Sequence, residues 1–427
     1  MRGFLASSIG VTCAAALALP LTPPASAATT PANRGAAPAG AYVPGSTQSL
    51  PLAPLGGDRA PGAAEQGVPR RDVPHFSLVG IVWDDPATEL HGQVQVRTRA
   101  AATGVWSAWQ ELETHNADHA ADPGTPESTS GRVRGATAPL WVGESDGVEV
   151  RVRADSAPGA ARTASHTTGP ARPTAFALPT GMRLELVDPG EGAPPAPEDG
   201  PRTTAVAGLA PLGAHEIPAE RQRAKPYTGP RPSITTRRGW GADEKLREKK
   251  YVYTKKVKAA FVHHSATGNN YRCSQAPSVI RSIYRYHVNS MGWRDLGYNF
   301  LIDKCGKIYE GRAGGVSKAV LGAHTYGFNS NSMGIAVLGT YSSKKPSSAA
   351  VKAVARLTAW KLGLSGMNPR GKTYLKSGGG NLYRKGKNVR LNVISGHRDG
   401  FATSCPGKKL YGKLGTARST AAKYQGR

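Results

Sequence analysis

Two segments hold residues whose types and spacing suit metal chemistry. "ISGHRDGFATSCPG", Ile394 to Gly407, sets His397 eight positions before Cys405, and "KAAFVHHSAT" ends an apolar run at His263 and His264. Two imidazoles and a thiolate are donors for a tetrahedral zinc centre that keeps its fourth position for water. Bound zinc brings the pKa of that water down to about 7 and polarises a carbonyl, which is what hydrolysis at neutral pH requires. Taken singly, a histidine at a strand end is more often a hydrogen-bonded core or loop residue. A cysteine left over from pairing shifts that balance, because metal ligation stabilises a thiol that export would expose to oxidation.

The elements around these residues must bring them together. "KAAFVHHSAT" reads as a strand ending at His263, and "VRLNVISGH" as another ending at His397, with Cys405 in the loop beyond. Side chains alternate along a strand, so His264 points away from His263 and is assigned a structural role. "APSVIRSIYRYHVNSMGW" reads as a helix starting near Pro277, with Val279, Ile280, Ile283, Tyr284, His287 and Val288 on one face. "YNFLIDKCGKIYEGR" is a hairpin turning at Asp303–Gly306, and "SMGIAVLGTY" is a buried strand. "PSSAAVKAVARLTAWKLGLSG" is a helix with a serine cap and a glycine stop, and "KKLYGKLGTARSTAAKY" is the last helix. Residues 233–427 therefore form an α/β catalytic domain, a central mixed sheet flanked by helices. The basic stretch "RGKTYLKSGGGNLYRKGKNVR" reads as an inserted, solvated hairpin or a wall-contacting loop.

Ahead of this domain, residues 75–190 show short runs of period-2 alternation bounded by Gly, Pro and Asp, the pattern of a separate all-β accessory domain. No residue in it has catalytic spacing, and Trp106 and Trp109 are expected in its core rather than stacked on sugars. Residues 28–74 are Ala/Pro/Gly-rich and read as a disordered linker, and 191–232 as a second linker. Residues 1–27 have a positive Arg2, an apolar stretch and a small-x-small site at Ala25 and Ala27, the form of a secretory signal peptide cut after Ala27. No later run reaches the ~18 apolar residues of a membrane span. The mature protein is expected to be exported and soluble.

Charge and cysteines narrow the partners. Of 55 Lys+Arg and 29 Asp+Glu, 40 and 7 lie in Arg221–Arg427, leaving 15 and 22 ahead of it. So basic a half favours polyanions such as anionic cell-envelope polymers, and export argues against nucleic acid. Cys13 leaves with the signal, so Cys273, Cys305 and Cys405 remain, and three pairings are possible, each leaving one thiol over.

In order after "TRRGWGADE", the motifs "FVHHSAT", "GWRDLGYNFLIDKCGKIYEGR", "LGAHTYGFNSNSMGIAVLG" and "ISGHRDGFATSCPG" resemble the zinc-dependent N-acetylmuramoyl-L-alanine amidase and peptidoglycan recognition protein family, over roughly residues 233 to 420. The resemblance implies cleavage of the amide between N-acetylmuramic acid and the L-alanine of the stem peptide, with peptidoglycan as partner and Zn2+ as cofactor. It implies His263, His397 and Cys405 as zinc ligands, Tyr298 of "LGYNF" as the active-site tyrosine, and Thr403 as the polar residue before the cysteine. With Cys405 a ligand, Cys273 and Cys305 are left to pair, and many members of the family carry a bridge near this place. Trp293, Arg312, His324 and Asn329 fall in segments that line the family's peptide groove. Ala313–Gly314–Gly315 depart from the animal members, which often place a tryptophan there near the third stem residue. The rival reading is a non-catalytic peptidoglycan-binding receptor on the same fold, although such relatives typically lack the cysteine. A purely structural zinc is a weaker rival, because three protein ligands have no fourth.

Overall fold

The computed structural model describes residues 44–55, 65–114, 116–157, 175–191 and 227–427. The signal segment 1–27 and nearly all of the second linker lie outside them.

The N-terminal domain is an antiparallel sheet. Its strands are β1 (Pro44–Pro51), β2 (Ala53–Pro54), β3 (Glu65–Trp83), β4 (Gly92–Ala100), β5 (Gln110–Leu112), β6 (Gly135–Ala136), β7 (Leu140–Ala154) and β8 (Arg183–Gly190). They run in the order β1-β8-β3-β7-β4-β5, with β2 and β6 both on β3. The stretch expected as linker to residue 74 therefore contains two complete strands and half of β3. Composition hid them: β1 begins and ends in proline, which an edge strand tolerates, and it lies at the edge of the sheet beside β8. Trp106 and Trp109 are also not core residues. Both are half-buried on the surface, with the guanidinium carbons of Arg70 at 4.3 Å and Arg151 at 4.2 Å from their ring centres. Cation–π contact, not enclosure, keeps them in place.

"FSLVGIVW" in β3 is buried throughout, because the sheet is covered on both faces. Val79, Ile81 and Trp83 point into the domain's own core, while Leu78 and Val82 join Trp141 and Val187 against the C-terminal domain. Gly80 explains how close the two come. A Cβ there would collide with the ring of Tyr286, whose hydroxyl donates to the carbonyls of Ile81 (3.2 Å) and Thr137 (3.0 Å).

The C-terminal domain has a five-stranded mixed sheet of β9 (Ala259–His264), β10 (Phe300–Ile302), β11 (Ile308–Glu310), β12 (Ser332–Val337) and, after the hairpin β13 (Lys372–Lys376) and β14 (Asn388–Asn392), β15 (Ile394–Gly396). The order is β11-β10-β12-β9-β15, parallel except for the β10–β11 hairpin. Helices α2 (Ser348–Gly363), α3 (Lys408–Tyr411) and α4 (Leu414–Tyr424) belong to one face, and α1 (Ala276–Arg285) packs on the other. Ser347 caps α2, its hydroxyl accepting from Ala350 N at 3.0 Å.

Three elements differ from the sequence reading. The α1 helix ends in a π turn, Tyr286–Ser290, that turns both Tyr286 and His287 inward. "VRLNVISGH" is two strands in two sheets, since Val393 passes between β14 and β15, and the last helix breaks at Gly412–Lys413. The inserted basic stretch is a hairpin. Its Leu375, Val389 and Leu391 pack on Phe261 and Phe328, so it walls one side of β9 while Lys372, Lys376 and Arg390 face solvent. The final part of the expected linker is folded too, with Gly229 N bonded to Ala359 O at 3.4 Å.

Candidate metal centre

Ligands of parallel α/β sheets bind beyond the carboxyl ends of the strands. His263 leaves β9 at that edge, in register with Ala336 of β12, and His397 follows β15 directly. The loop carrying Cys405 folds back on His397: Arg398 N donates to Cys405 O (3.1 Å) and Cys405 N to Thr403 Oγ1 (3.2 Å). Asp399 accepts from Gly396 N at 2.9 Å and from the Tyr411 hydroxyl at 2.6 Å, which fixes the loop's base. His263, His397 and Cys405 thus meet, although they come from distant parts of the sequence.

A fourth donor joins them from the N-terminal domain. His119 and the other three offer ligand atoms that all lie within 4.8 Å of one another, and all four residues are buried. Cys405 Sγ is 3.6 Å from His119 Nε2 and 3.8 Å from His263 Nδ1. Each imidazole directs one nitrogen inward and tethers the other, the arrangement that orients metal-binding histidines. His119 Nδ1 is 2.8 Å from Asp118 Oδ1, His263 Nε2 is 3.4 Å from Thr325 Oγ1, and His397 Nε2 is 3.1 Å from Asp118 O. His397 Nδ1 and Asp118 Oδ2 are buried without a hydrogen bond and face each other at 3.7 Å.

The electrostatics suit a cation. Burial, reinforced by the neighbouring imidazoles, holds His263 well below an ordinary histidine. Burial also lowers His397, to about 3, against the opposing pull of Asp118. Burial and the Asp118 charge push the Cys405 thiol well up. Burial would raise Asp118 as well, but His119 and His397 hold its carboxyl far below the usual range. Four crowded nitrogen and sulfur donors beside a buried carboxylate fit a divalent metal.

The other expected residues surround this group. Tyr298 is buried with its ring centre 5.4 Å from that of His263 and 5.9 Å from that of His119. Burial, with Cys405 and Asp118 nearby, keeps its hydroxyl protonated. Thr403 lines a 460 Å³ cleft together with Asp118. Arg312 and Asn329 line a second cleft, of 710 Å³. His324 and Trp293 are buried behind the walls: His324 Nδ1 is 3.0 Å from Thr325 Oγ1, and Trp293 stacks on His287 at 4.5 Å. His264 faces away and sits near Glu113, at 3.6 Å. Cys273 and Cys305 are joined by a disulfide, and Cys405 is the free cysteine among the described residues.

His119 and Asp118 were not singled out by sequence, which saw no catalytic spacing in the β domain; the structure brings both to the candidate centre, where His119 offers a fourth donor atom. "HNADHAADPG" has neither strand nor helix period, so only its local density of His and Asp could have drawn notice.

A mixed α/β domain with a His/Cys group able to hold a metal at the carboxyl edge of its sheet is the class of protein these features define. The N-acetylmuramoyl-L-alanine amidase family matches residues 253–408, and the family described as Rv3811 N-terminal galactose-binding domain-like matches residues 31–174. Peptidoglycan-recognition protein SC2 of Drosophila simulans is 32% identical over 159 residues, 37% of this chain and 72% of that protein. Peptidoglycan-recognition protein 1 of Holotrichia diomphalia is 33% identical over 187 residues, 43% of this chain and 79% of its own length. The solved structure of wild-type Drosophila PGRP-LB aligns at a TM-score of 0.35 and 25% identity, over 43% of this chain and 93% of that one. Through its C-terminal domain the chain belongs to the peptidoglycan recognition protein and N-acetylmuramoyl-L-alanine amidase family.

Proposed function

We propose that the chain is a secreted zinc-dependent N-acetylmuramoyl-L-alanine amidase. It hydrolyses the amide between N-acetylmuramic acid and the L-alanine of the stem peptide. The observation that carries this reading is the meeting of His263, His397 and Cys405 in one buried group. Those three residues would hold the zinc, which supplies a Lewis acid that acidifies water and polarises the scissile carbonyl. Thr325, backed by His324, orients His263. Tyr298 keeps its proton and so donates a hydrogen bond to the oxyanion that develops on the carbonyl. Thr403, two residues before the cysteine, offers a second hydroxyl to the same region. Arg312 and Asn329 receive the acidic stem peptide, and Trp293, buried against His287, supports the groove from within the domain. The basic outer surface of the domain holds anionic cell-envelope polymers, and export gives access to the wall. Among the described residues no helix is long and apolar enough to cross a membrane.

The four-donor cluster also favours a second reading, a peptidoglycan-binding receptor with a structural metal, because closed sites are the structural kind. Incubating the full chain and a His119→Ala variant with purified peptidoglycan separates the two. Stem peptides with a free alanine amine are expected by mass spectrometry, lost on chelation, restored by zinc, and absent from Cys405→Ser. Pull-down with the wall and no release by either protein would leave the receptor reading standing.

A further inference from the structure

We propose that His119 is the fourth protein ligand of the metal centre, so that the β domain closes the amidase site and holds the chain in a latent form. The metal's identity and the groove's occupant rest on the amidase reading; the closure rests on geometry alone.

His119 faces the cluster as directly as the other donors. Its Nε2 faces Cys405 Sγ at 3.6 Å, and Asp118 takes its Nδ1–H at 2.8 Å, the carboxylate–histidine pairing that orients a ligand. Its ring centre lies 4.5 Å from that of His397 and 5.2 Å from that of His263. With four protein donors in place no position remains for water, and all four are shielded from solvent.

The segment that delivers His119 also occupies the polar groups of the groove. At one end Glu113 accepts from the Ser404 hydroxyl at 2.7 Å, beside Thr403. In the middle Asp122 Oδ1 accepts from Gly327 N (2.9 Å) and from Asn329 Nδ2 (2.7 Å), while Asn329 Nδ2 also reaches Ala120 O at 2.8 Å. At the other end Glu127 forms a bidentate, buried pair with Arg312, at 2.7 and 2.8 Å. Three carboxylates of the more acidic half of the chain thus engage the basic half where an acidic peptide would lie. Residues of this segment line both the 460 and the 710 Å³ clefts, so it stands between two spaces flanking the centre. Hydrolysis requires His119 to withdraw and a water to take its place.

The test uses the full-length chain loaded with cobalt(II) in place of zinc. The wild type should show a thiolate charge-transfer band and a visible spectrum that does not change with added azide. The His119→Ala protein should keep the band and respond to azide, and should lose metal to a chelator faster. Loss of an outer partner alone weakens metal binding by about 10–100-fold, so loss of a direct donor should reach at least the upper figure. Asp122→Asn with Glu127→Gln, which loosens the segment but keeps His119, should give an intermediate azide response even if His119→Ala folds poorly. A wild-type spectrum as azide-sensitive as that of His119→Ala would overturn the closure and leave the amidase reading intact. Failure of the wild type to bind cobalt through Cys405 would overturn both. Faster stem-peptide release by His119→Ala than by wild type, with metal bound in each, supports both.

Discussion

The two domains supply donors to the same centre by opposite means. His263 and His397 sit at the ends of β9 and β15, two neighbours paired in register, so ladder hydrogen bonds set their separation. His119 comes from an irregular segment between β5 and β6 that no ladder holds: side-chain contacts with the other domain and a main-chain bond, Tyr326 N to Asp118 O at 2.9 Å, place it. A backbone ladder breaks only when the domain unfolds, whereas a few side-chain pairs can be exchanged for a ligand's. The contrast teaches which part of the centre is permanent and which can be released.

The largest effect should come from the strand-end donors. In the His119→Ala background, where the centre is open, Cys405→Ser or His263→Ala should lower stem-peptide release by about 10³-fold or more, with loss of bound zinc, since hydroxide formation at neutral pH depends on the metal. Zinc content by mass spectrometry checks the cause, and full metal occupancy with lost activity would give these residues another role. Tyr298→Phe should retain metal and lower kcat by about 10²-fold with little change in KM, the range for a positioned proton donor. A rise confined to KM would make the tyrosine a wall of the groove.

Smaller effects compare the stability of the two regions. Replacing Cys273 and Cys305 together by serine should cost about 3–4 kcal/mol in denaturant unfolding, given their separation of 32 residues, without altering metal content. Glu127→Ala leaves Arg312 buried and unpaired and should cost about 3 kcal/mol. In the Arg312→Ala background the same change should cost much less, a coupling that a double-mutant cycle reads directly. This pair also predicts a pH dependence. Burial would raise Glu127, but Arg312 holds its carboxyl below the ordinary glutamate value of 4.5. Its stabilisation is therefore complete above pH 4.5 and fades as pH falls through the lower folded value. The Glu127→Gln protein should show a shallower fall of Tm on acidification. Ser347→Ala, which removes the α2 cap far from the interface, should cost only about 1 kcal/mol.

Much of the C-terminal domain was legible because its signals are local. "KAAFVHHSAT" and "SMGIAVLGTY" became β9 and β12, and the hairpin turned at Asp303–Gly306. The face expected on α1 is buried, but so are Arg281 and Arg285 on its other side, because β8 covers them and Arg281 Nε donates to Pro189 O at 3.2 Å. Periodicity identifies an apolar stripe and cannot announce that a second domain will cover the polar one. The same limit hid β1, whose "STQSL" is too short and too proline-bound to stand out from its surroundings.

By itself the sequence determined the family, the mixed sheet with its helices, and His263, His397 and Cys405 as a group, because strand ends and ordered motifs are written in neighbouring residues. Only the tertiary structure decided that Asp118 and His119 join them, and that Glu127 and Asp122 engage Arg312 and Asn329. Those contacts join residues 185 and 207 positions apart. They depend on how the two sheets dock around Gly80 and Tyr286, a relation that no local pattern encodes.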